Sequence, residues 1–145
     1  VESAVSVLSG HMNQEQRAKF RDKLYRYARK PDRDLILAMA VKEILGFYSV
    51  IEEDDLPREV PAAVRQRLHS FACGTGLLVH PDYRQRGIGT ELQLFAEQWA
   101  RARGKAGFWL STRRQADWYR SHFGYEEAGR VLVKGVERRI MAKGF

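Results

Sequence analysis

The sequence predicts a mixed α/β protein built around a sheet, and three features of the hydrophobic pattern support this. Apolar residues in the first 31 positions recur at helical spacing until Pro31 ends the pattern. In the middle of the chain, β-rich apolar runs alternate with amphipathic stretches that fit helices. The chain closes on two strand-like runs around Gly135, which is the pattern of a hairpin.

The first half of the chain predicts two helices, a hairpin and a third, short helix. Residues 1–31 carry the first two helices. Residues 35–41 and 44–51 are nearly continuous apolar runs separated by two charged residues, so we expect two strands joined by a turn. Prolines and an acidic run then interrupt the pattern, and residues 62–68 fit a short helix with Pro61 at its first position.

The second half predicts strands that alternate with helices. Phe71–Val79 fits a strand that is flexible at Gly74 and Gly76. Apolar residues at i, i+3, i+4 and i+7 from Leu92 onward then predict a helix that ends near Gly104. The remaining predicted elements are a strand over 108–110, a helix over 115–123 and two strands within 127–143.

The size and charge of the chain limit its organisation and its partners. A chain of 145 residues is long enough for one core, so we expect residues 1–145 to form a single domain. Its 25 basic and 18 acidic residues give a net charge of +7, which favours an anionic partner. The basic residues are scattered and do not form a nucleic-acid arm, so nucleic acid is not the partner we expect. The oligomeric state stays open, with a homodimer as one outcome.

Other residue types disfavour several classes of protein. No apolar run reaches the about 18 residues of a membrane helix, so we expect a soluble protein without a membrane partner. Cys73 is the only cysteine, which suits a reducing compartment, and we expect the cytoplasm. The histidines lack the spacing of a zinc site and no Gly-x-Ser-x-Gly elbow occurs, so we expect neither a metal nor serine-hydrolase chemistry.

Residues 77–90, LLVHPDYRQRGIGT, join a predicted strand to a predicted helix and carry the strongest chemical signal. The first turn of a helix presents N–H groups without intrahelical partners and the positive end of the helix dipole, so it attracts phosphate. Gly87 and Gly89 have no side chain to keep a phosphate from the main chain, while Arg84 and Arg86 add positive charge. A diphosphate group would fit this segment.

Two common nucleotide motifs do not match this segment. No Gly-Lys-Ser/Thr follows a glycine, so it is not a P-loop, and Leu92 stands where a Rossmann fingerprint has its third glycine. An isolated Gly-x-Gly is also typical of a plain strand-to-helix turn with exposed arginines. The identity of the ligand therefore depends on the longer pattern.

The longer pattern, Val-x-Pro-x-x-Arg-x-x-Gly-Ile-Gly after a strand, resembles the acetyl-CoA motif of the GNAT superfamily of N-acyltransferases. The resemblance implies a mixed, mostly antiparallel central sheet flanked by helices, with acetyl-CoA (CoA) as the cofactor. It also implies that the strand end pairs with the pantetheine arm and that the loop binds the pyrophosphate. The implied cofactor-binding residues are Leu77, Leu78, Val79, Arg84, Gln85, Arg86, Gly87, Ile88, Gly89 and Thr90.

The resemblance further implies a catalytic tyrosine. In this family a tyrosine on the helix after the next strand often protonates the departing CoA thiolate, which points to Tyr119. Tyr119 lies five positions before Gly124, whereas the family pattern has four. A backbone N–H near Val79 would stabilise the developing oxyanion. An amine with a pKa of about 10.4 must first lose a proton, and the base stays open among Glu52, Glu53, His80, His122 and an ordered water.

We therefore expect an acyltransferase that moves the acetyl group from acetyl-CoA to a primary amine by direct attack. The amine belongs to a small molecule or to a protein, and the acidic run at residues 52–55 would either attract such a cation or form a solvated loop. The alternative is a non-catalytic basic module that binds RNA or another polyanion through Arg84, Arg86 and the scattered arginines.

Overall fold

The computed structural model describes residues 33–40, 43–52 and 60–145. The helices predicted within residues 1–31 lie outside these ranges. The described part contains, in chain order, β1 (Arg33–Ala40), β2 (Glu43–Ile51), α1 (Ala62–Arg67), β3 (Phe71–Val79), a 3-10 helix (Pro81–Tyr83), α2 (Ile88–Ala102), β4 (Gly107–Thr112), α3 (Ala116–Phe123), β5 (Glu126–Val133) and β6 (Val136–Gly144).

The six strands form one sheet in the order β1-β2-β3-β4-β6-β5. β3 and β4 are parallel, with Phe71 opposite Gly107 and Gly74 opposite Leu110. Both pairs that involve β6 are antiparallel. Helix α2 lies between β3 and β4 in the chain and provides the long crossover that a parallel pair of strands needs. The predicted mixed α/β fold with a mostly antiparallel sheet is therefore confirmed.

Several element boundaries differ from the sequence prediction by a few residues. Pro61 is the N-cap of α1 and not its first helical residue. β4 is longer than the predicted residues 108–110, because Ser111 and Thr112 continue the ladder opposite β6. Polar residues at a strand end give a weak local signal, and pairing with a neighbouring strand overrides it.

The chain divides into two compact units. Of the described residues, the first comprises 33–40, 43–50 and 76–96, and the second comprises 51–52, 60–75 and 97–145, so β3 and α2 each continue from one unit into the other. In the described part of the first unit, β2 and α2 supply the buried residues Phe47, Tyr48, Val50, Leu92 and Ala96.

The second unit has an apolar cluster and a buried polar contact. The cluster comprises Ile51, Val60, Leu68, Cys73, Trp109, Val131, Ile140 and Ala142. Burying one large apolar side chain stabilises a fold by about 1.5 to 3 kcal/mol. Separately, the buried carboxylate of Glu97 accepts hydrogen bonds from Lys143 Nζ at 2.8 Å and from the Tyr125 hydroxyl at 3.1 Å.

Candidate functional site

The carboxyl-terminal half of β3 is more accessible than its central position in the sheet would suggest. Residues 72–74 are buried, whereas residues 75–79 are only half-buried, although Leu77, Leu78 and Val79 are apolar. β3 stands between β2 and β4 in the strand order, where apolar side chains are normally covered. The end of this strand therefore offers an apolar surface and a main chain that a ligand can cover.

Hydrogen bonds define which way the peptide groups of this strand end point. The N–H of His80 donates to the carbonyl oxygen of Leu45 in β2 at 2.7 Å. Since the polar groups of successive residues in a strand alternate between its two edges, those of Val79 and Leu77 point away from β2. On that side, Nε of Arg84 donates to the carbonyl oxygen of Val79 at 3.3 Å.

The loop after the 3-10 helix has an unusual backbone. Gln85 and Gly87 both have positive φ, at 62° and 81°, with Arg86 between them. When left-handed and right-handed backbone conformations alternate in this way, successive N–H groups point into a concavity that binds anions. A Cβ at position 87 would meet nothing within 4 Å, so the positive φ, rather than lack of space, favours glycine there.

Helix α2 begins directly after this loop, at Ile88. Its first backbone bond runs from Glu91 N–H to Gly87 O at 3.0 Å. The N–H groups of Ile88, Gly89 and Thr90 therefore lie in the first turn, where helix geometry provides no intrahelical acceptor. Together with the dipole of a 15-residue helix, this turn fits a diphosphate.

Two arginines give the loop positive charge, and a buried histidine supports it. Arg84 and Arg86 are both exposed, and the guanidinium of Arg86 lies over the Tyr83 ring at 5.4 Å. His80, in contrast, is only 8% exposed, and its Nδ1 accepts a hydrogen bond from the N–H of Asp82 at 3.1 Å. The structure thus brings the predicted residues 77–79 and 84–90 into one strand, loop and helix start within the first unit.

Tyr119 lies in the second unit, on α3. It is 7% exposed, and its ring centroid is 4.9 Å from that of Trp118 and 5.8 Å from that of Tyr125. Gly124 caps α3 in the left-handed conformation and donates its N–H to the carbonyl oxygen of Arg120. Tyr119 is therefore a packed aromatic residue on a well-capped helix.

The other side chains named as candidate bases have structural contacts of their own. Glu52 lies 3.7 Å from Nε of Arg103, which follows the carboxyl-terminal end of α2. His122 is exposed, with Nδ1 3.1 Å from the carbonyl oxygen of Trp118. Glu53 lies outside the described residues.

Two features of the site could not be predicted from the sequence. The positive φ of Gln85 has no signal in the sequence, because Gln seldom adopts this conformation. The hydrogen bond from Arg84 to Val79 depends on the path of the loop. The position of His80 directly before Pro81 and the turn is a partial sequence signal that its side chain caps the 3-10 helix.

The described residues contain no group of three or more His, Cys, Asp or Glu side chains placed to hold a metal ion. Within the same ranges, none of the helices combines the length and the apolar content needed to span a bilayer.

Comparison with protein families identifies the class to which this fold and this site belong. The sequence model of the acetyltransferase (GNAT) family matches residues 5–125, which is most of the chain. The chain therefore belongs to the GNAT acetyltransferase family. The predicted enzyme class, with acetyl-CoA as cofactor and an amine as acceptor, is thereby confirmed. No curated protein matches the chain by sequence.

Solved structures show the same fold at low sequence identity. An aminoglycoside 6′-acetyltransferase type Ii has a TM-score of 0.75 and 19% identity, over 99% of this chain and 88% of that chain. An aminoglycoside 6′-N-acetyltransferase complexed with coenzyme A has a TM-score of 0.71 and 15% identity, over 99% and 89%. A streptothricin acetyltransferase from Bacillus anthracis in complex with acetyl coenzyme A has a TM-score of 0.64 and 20% identity, over 83% and 67%.

Proposed function

We propose that this enzyme binds the diphosphate of acetyl-CoA at residues 84–90 and transfers the acetyl group directly to a primary amine. The observation that carries the assignment is the continuous junction of a half-buried strand end, a loop with two positive φ angles and the first turn of α2. Backbone N–H groups and two arginines there can neutralise a diphosphate, while Leu77, Leu78 and Val79 suit the apolar parts of the pantetheine arm.

The directions of the backbone N–H groups at the end of β3 indicate which of them can donate a hydrogen bond to the thioester carbonyl of acetyl-CoA. The N–H of His80 is used by Leu45, so it does not serve this purpose. The N–H of Val79 points to the opposite edge of β3, away from β2, and we assign it to the negative charge that develops on the carbonyl oxygen. One such donor typically contributes about 3 to 4 kcal/mol to the stability of the transition state.

The burial of Cys73 supports direct transfer of the acetyl group, without an acetyl-cysteine intermediate. Cys73 is the only cysteine, it is 2% exposed, and its thiol donates to the carbonyl oxygen of Gly74 at 3.4 Å. A buried thiol in an apolar cluster is a poor nucleophile, because thiolate formation is disfavoured there. The amine nitrogen would therefore bond to the acetyl carbon itself, and the carbon–sulfur bond would break as the negative charge returns from the carbonyl oxygen.

Proton transfer completes the reaction. A protonated amine must lose one proton before it attacks and a second as the amide forms, while the CoA sulfur must gain one, so one proton passes to solvent. We assign the proton that sulfur gains to the hydroxyl of Tyr119, the tyrosine that precedes the Gly124 cap of α3. To the protons that nitrogen loses we assign water as the acceptor, since Glu52 is paired with Arg103 and the buried His80 ring accepts from Asp82 N–H.

The acceptor, the organisation and the location are part of the same proposal. The three structural neighbours described above are named as acetyltransferases of aminoglycosides or of streptothricin, so a small cationic amine is the acceptor class to test first. We also propose that the two units act as one domain, because β3 and α2 run through both. A single buried cysteine suits the cytoplasm.

A binding experiment with a charge variant tests the cofactor site. Acetyl-CoA at a hundred times its dissociation constant should stabilise the wild type by about 2.7 kcal/mol, which raises its melting temperature. Gly89→Glu adds a negative side chain in the first turn and should abolish this shift, whereas Gly144→Glu, at an exposed and open position, should keep it. An equal shift in all three proteins would contradict the assignment.

A screen of amines tests the reaction itself. Release of the free CoA thiol is followed with aminoglycosides, polyamines and lysine-containing peptides as acceptors. Thiol release that depends on one amine class supports the proposal and names the acceptor. Failure of acetyl-CoA to bind, together with salt-sensitive binding of RNA, would favour a polyanion-binding module instead.

A further inference from the structure

We infer that His80 is a positioning residue that builds the phosphate-binding loop of the proposed acetyl-CoA site, and that it is not the general base. The inference rests on the proposed function, because the loop it supports is the one assigned to the diphosphate. Four separate contacts of His80 carry it, two from its backbone and two from its ring.

The backbone of His80 fixes the point at which strand becomes loop. Its N–H donates to Leu45 O at 2.7 Å, which ties it to β2, and its carbonyl oxygen accepts from Tyr83 N–H at 2.9 Å. The first bond orients the Val79–His80 peptide, and the second closes the 3-10 turn Pro81–Tyr83. The chain therefore leaves β3 in a defined direction.

The ring of His80 continues this support into the loop. Nδ1 accepts from the N–H of Asp82 and thereby caps the 3-10 helix, where Pro81 at the first position supplies no N–H. The same ring meets the Tyr83 ring edge to face, with centroids 5.4 Å apart. Tyr83 in turn lies beneath the guanidinium of Arg86. A path of direct contacts thus runs from the buried histidine to a cation of the loop.

The hydrogen bond at Nδ1 also defines what the imidazole does chemically. A ring nitrogen that accepts from an N–H carries no proton of its own, so the other nitrogen, Nε2, holds the proton in the neutral ring. Nδ1 is therefore used to hold the Asp82 amide and is not the atom that would take a proton from a substrate. Because His80 is only 8% exposed, its replacement should change the conformation of the loop and the binding of acetyl-CoA more than the rate of the chemical step.

Three variants of His80 distinguish a positioning residue from a general base. The side-chain oxygen of Asn lies close to where Nδ1 lies, so His80→Asn can still accept from Asp82 N–H, whereas His80→Gln places its oxygen one carbon further out and His80→Ala removes it. The control is His69→Asn, at an exposed histidine outside the site. The measurements are the dissociation constant of acetyl-CoA by calorimetry, and KM and kcat for thiol release.

We expect His80→Ala and His80→Gln to raise the dissociation constant and the KM of acetyl-CoA by up to about tenfold, the effect of losing one partly buried hydrogen bond. Their kcat should stay within about twofold of wild type, a small change compared with the loss of a general base. His80→Asn keeps the acceptor for Asp82 N–H and loses only the ring contact with Tyr83, so it should bind acetyl-CoA more tightly than the Ala and Gln variants. The control should bind with the wild-type affinity.

Two results would overturn the inference. One is a kcat for His80→Asn that falls by about a hundredfold or more, because a base cannot be replaced by an amide. The other is equal acetyl-CoA affinity in the Asn and Gln variants, which can be compared even where His80→Ala fails to fold. Absence of acetyl-CoA binding by the wild type would instead overturn the proposed function on which the inference rests.

Discussion

Nε of Arg84 donates a hydrogen bond to the carbonyl oxygen of Val79 at 3.3 Å. This bond joins the loop that we assign to the diphosphate to the strand end that we assign to the thioester. Arg84 is exposed, so its guanidinium can reach a phosphate while Nε holds the strand. The sequence pattern indicated the charge of this arginine, and the structure adds its attachment to Val79.

Arg84→Lys should weaken acetyl-CoA binding although it retains the positive charge. Lysine has no donor at the position of Nε, and one exposed hydrogen bond is worth about 0.5 to 1 kcal/mol, which corresponds to a two- to fivefold rise in the dissociation constant. Calorimetry with acetyl-CoA measures this, with Arg67→Lys on α1 as the control. Unchanged affinity in Arg84→Lys would show that the bond to Val79 does not matter for binding.

Gly46→Ala should disturb the first unit through a steric contact. A Cβ at position 46 would lie 2.8 Å from Leu78 O and 3.2 Å from Leu92 Cδ1, so β2 could not keep its approach to β3 and α2. Overpacking of this kind costs about 1 to 3 kcal/mol of unfolding free energy. Urea unfolding measures the loss, and acetyl-CoA affinity should fall with it.

The matched control for Gly46→Ala is Gly144→Ala, where an added Cβ meets nothing within 4 Å. Its stability should stay close to that of the wild type. If both variants unfold at the wild-type urea concentration, the close approach at Gly46 has no energetic importance.

The fold was largely predictable because its signals are local. The bounds of β3 are predicted as Phe71–Val79, since this mostly apolar run is bounded by polar residues on one side and by Pro81 on the other. Contacts between distant residues carry no such local signal. The buried bond between Tyr125 and Glu97 joins residues 28 positions apart, and nothing in either segment indicates its partner.

The candidate site divides in the same way. Gly87, Gly89 and the arginines follow a pattern whose physical purpose is visible in the residues themselves. The orientation of the Val79 peptide and the capping role of His80 arise from hydrogen bonds to β2 and to the 3-10 turn. Such bonds depend on strand register and loop path, which the sequence does not encode in a short motif.

Lys143→Met should destabilise the second unit. Lys143 Nζ lies 2.8 Å from Oε1 of Glu97, whose side chain is 6% exposed, while that of Lys143 is 27% exposed. Removing one partner leaves a buried carboxylate with only the Tyr125 hydroxyl, and we expect a loss of about 2 to 3 kcal/mol, at or below the lower end of the range for fully buried pairs. The melting temperature should fall, whereas Lys105→Met should leave it unchanged. Equal melting temperatures would mean that water replaces the lysine without cost.

Tyr119→Phe should lower turnover without affecting acetyl-CoA binding. Loss of a general acid reduces kcat by about a hundredfold or more, because the thiolate then leaves unprotonated. The matched control is Tyr125→Phe, which removes the buried hydroxyl that donates to Glu97 and should lower stability while keeping kcat near the wild-type value. Wild-type turnover in Tyr119→Phe would remove Tyr119 from the mechanism.

A crystal structure of the chain with CoA tests the central claim most directly. The account predicts diphosphate oxygens at about 2.7 to 3.2 Å from backbone nitrogens between Gly87 and Thr90, which is the range of N–H···O hydrogen bonds. It also predicts that Arg84 keeps its bond to Val79 in the complex. CoA bound elsewhere, with this turn unoccupied, would contradict the account.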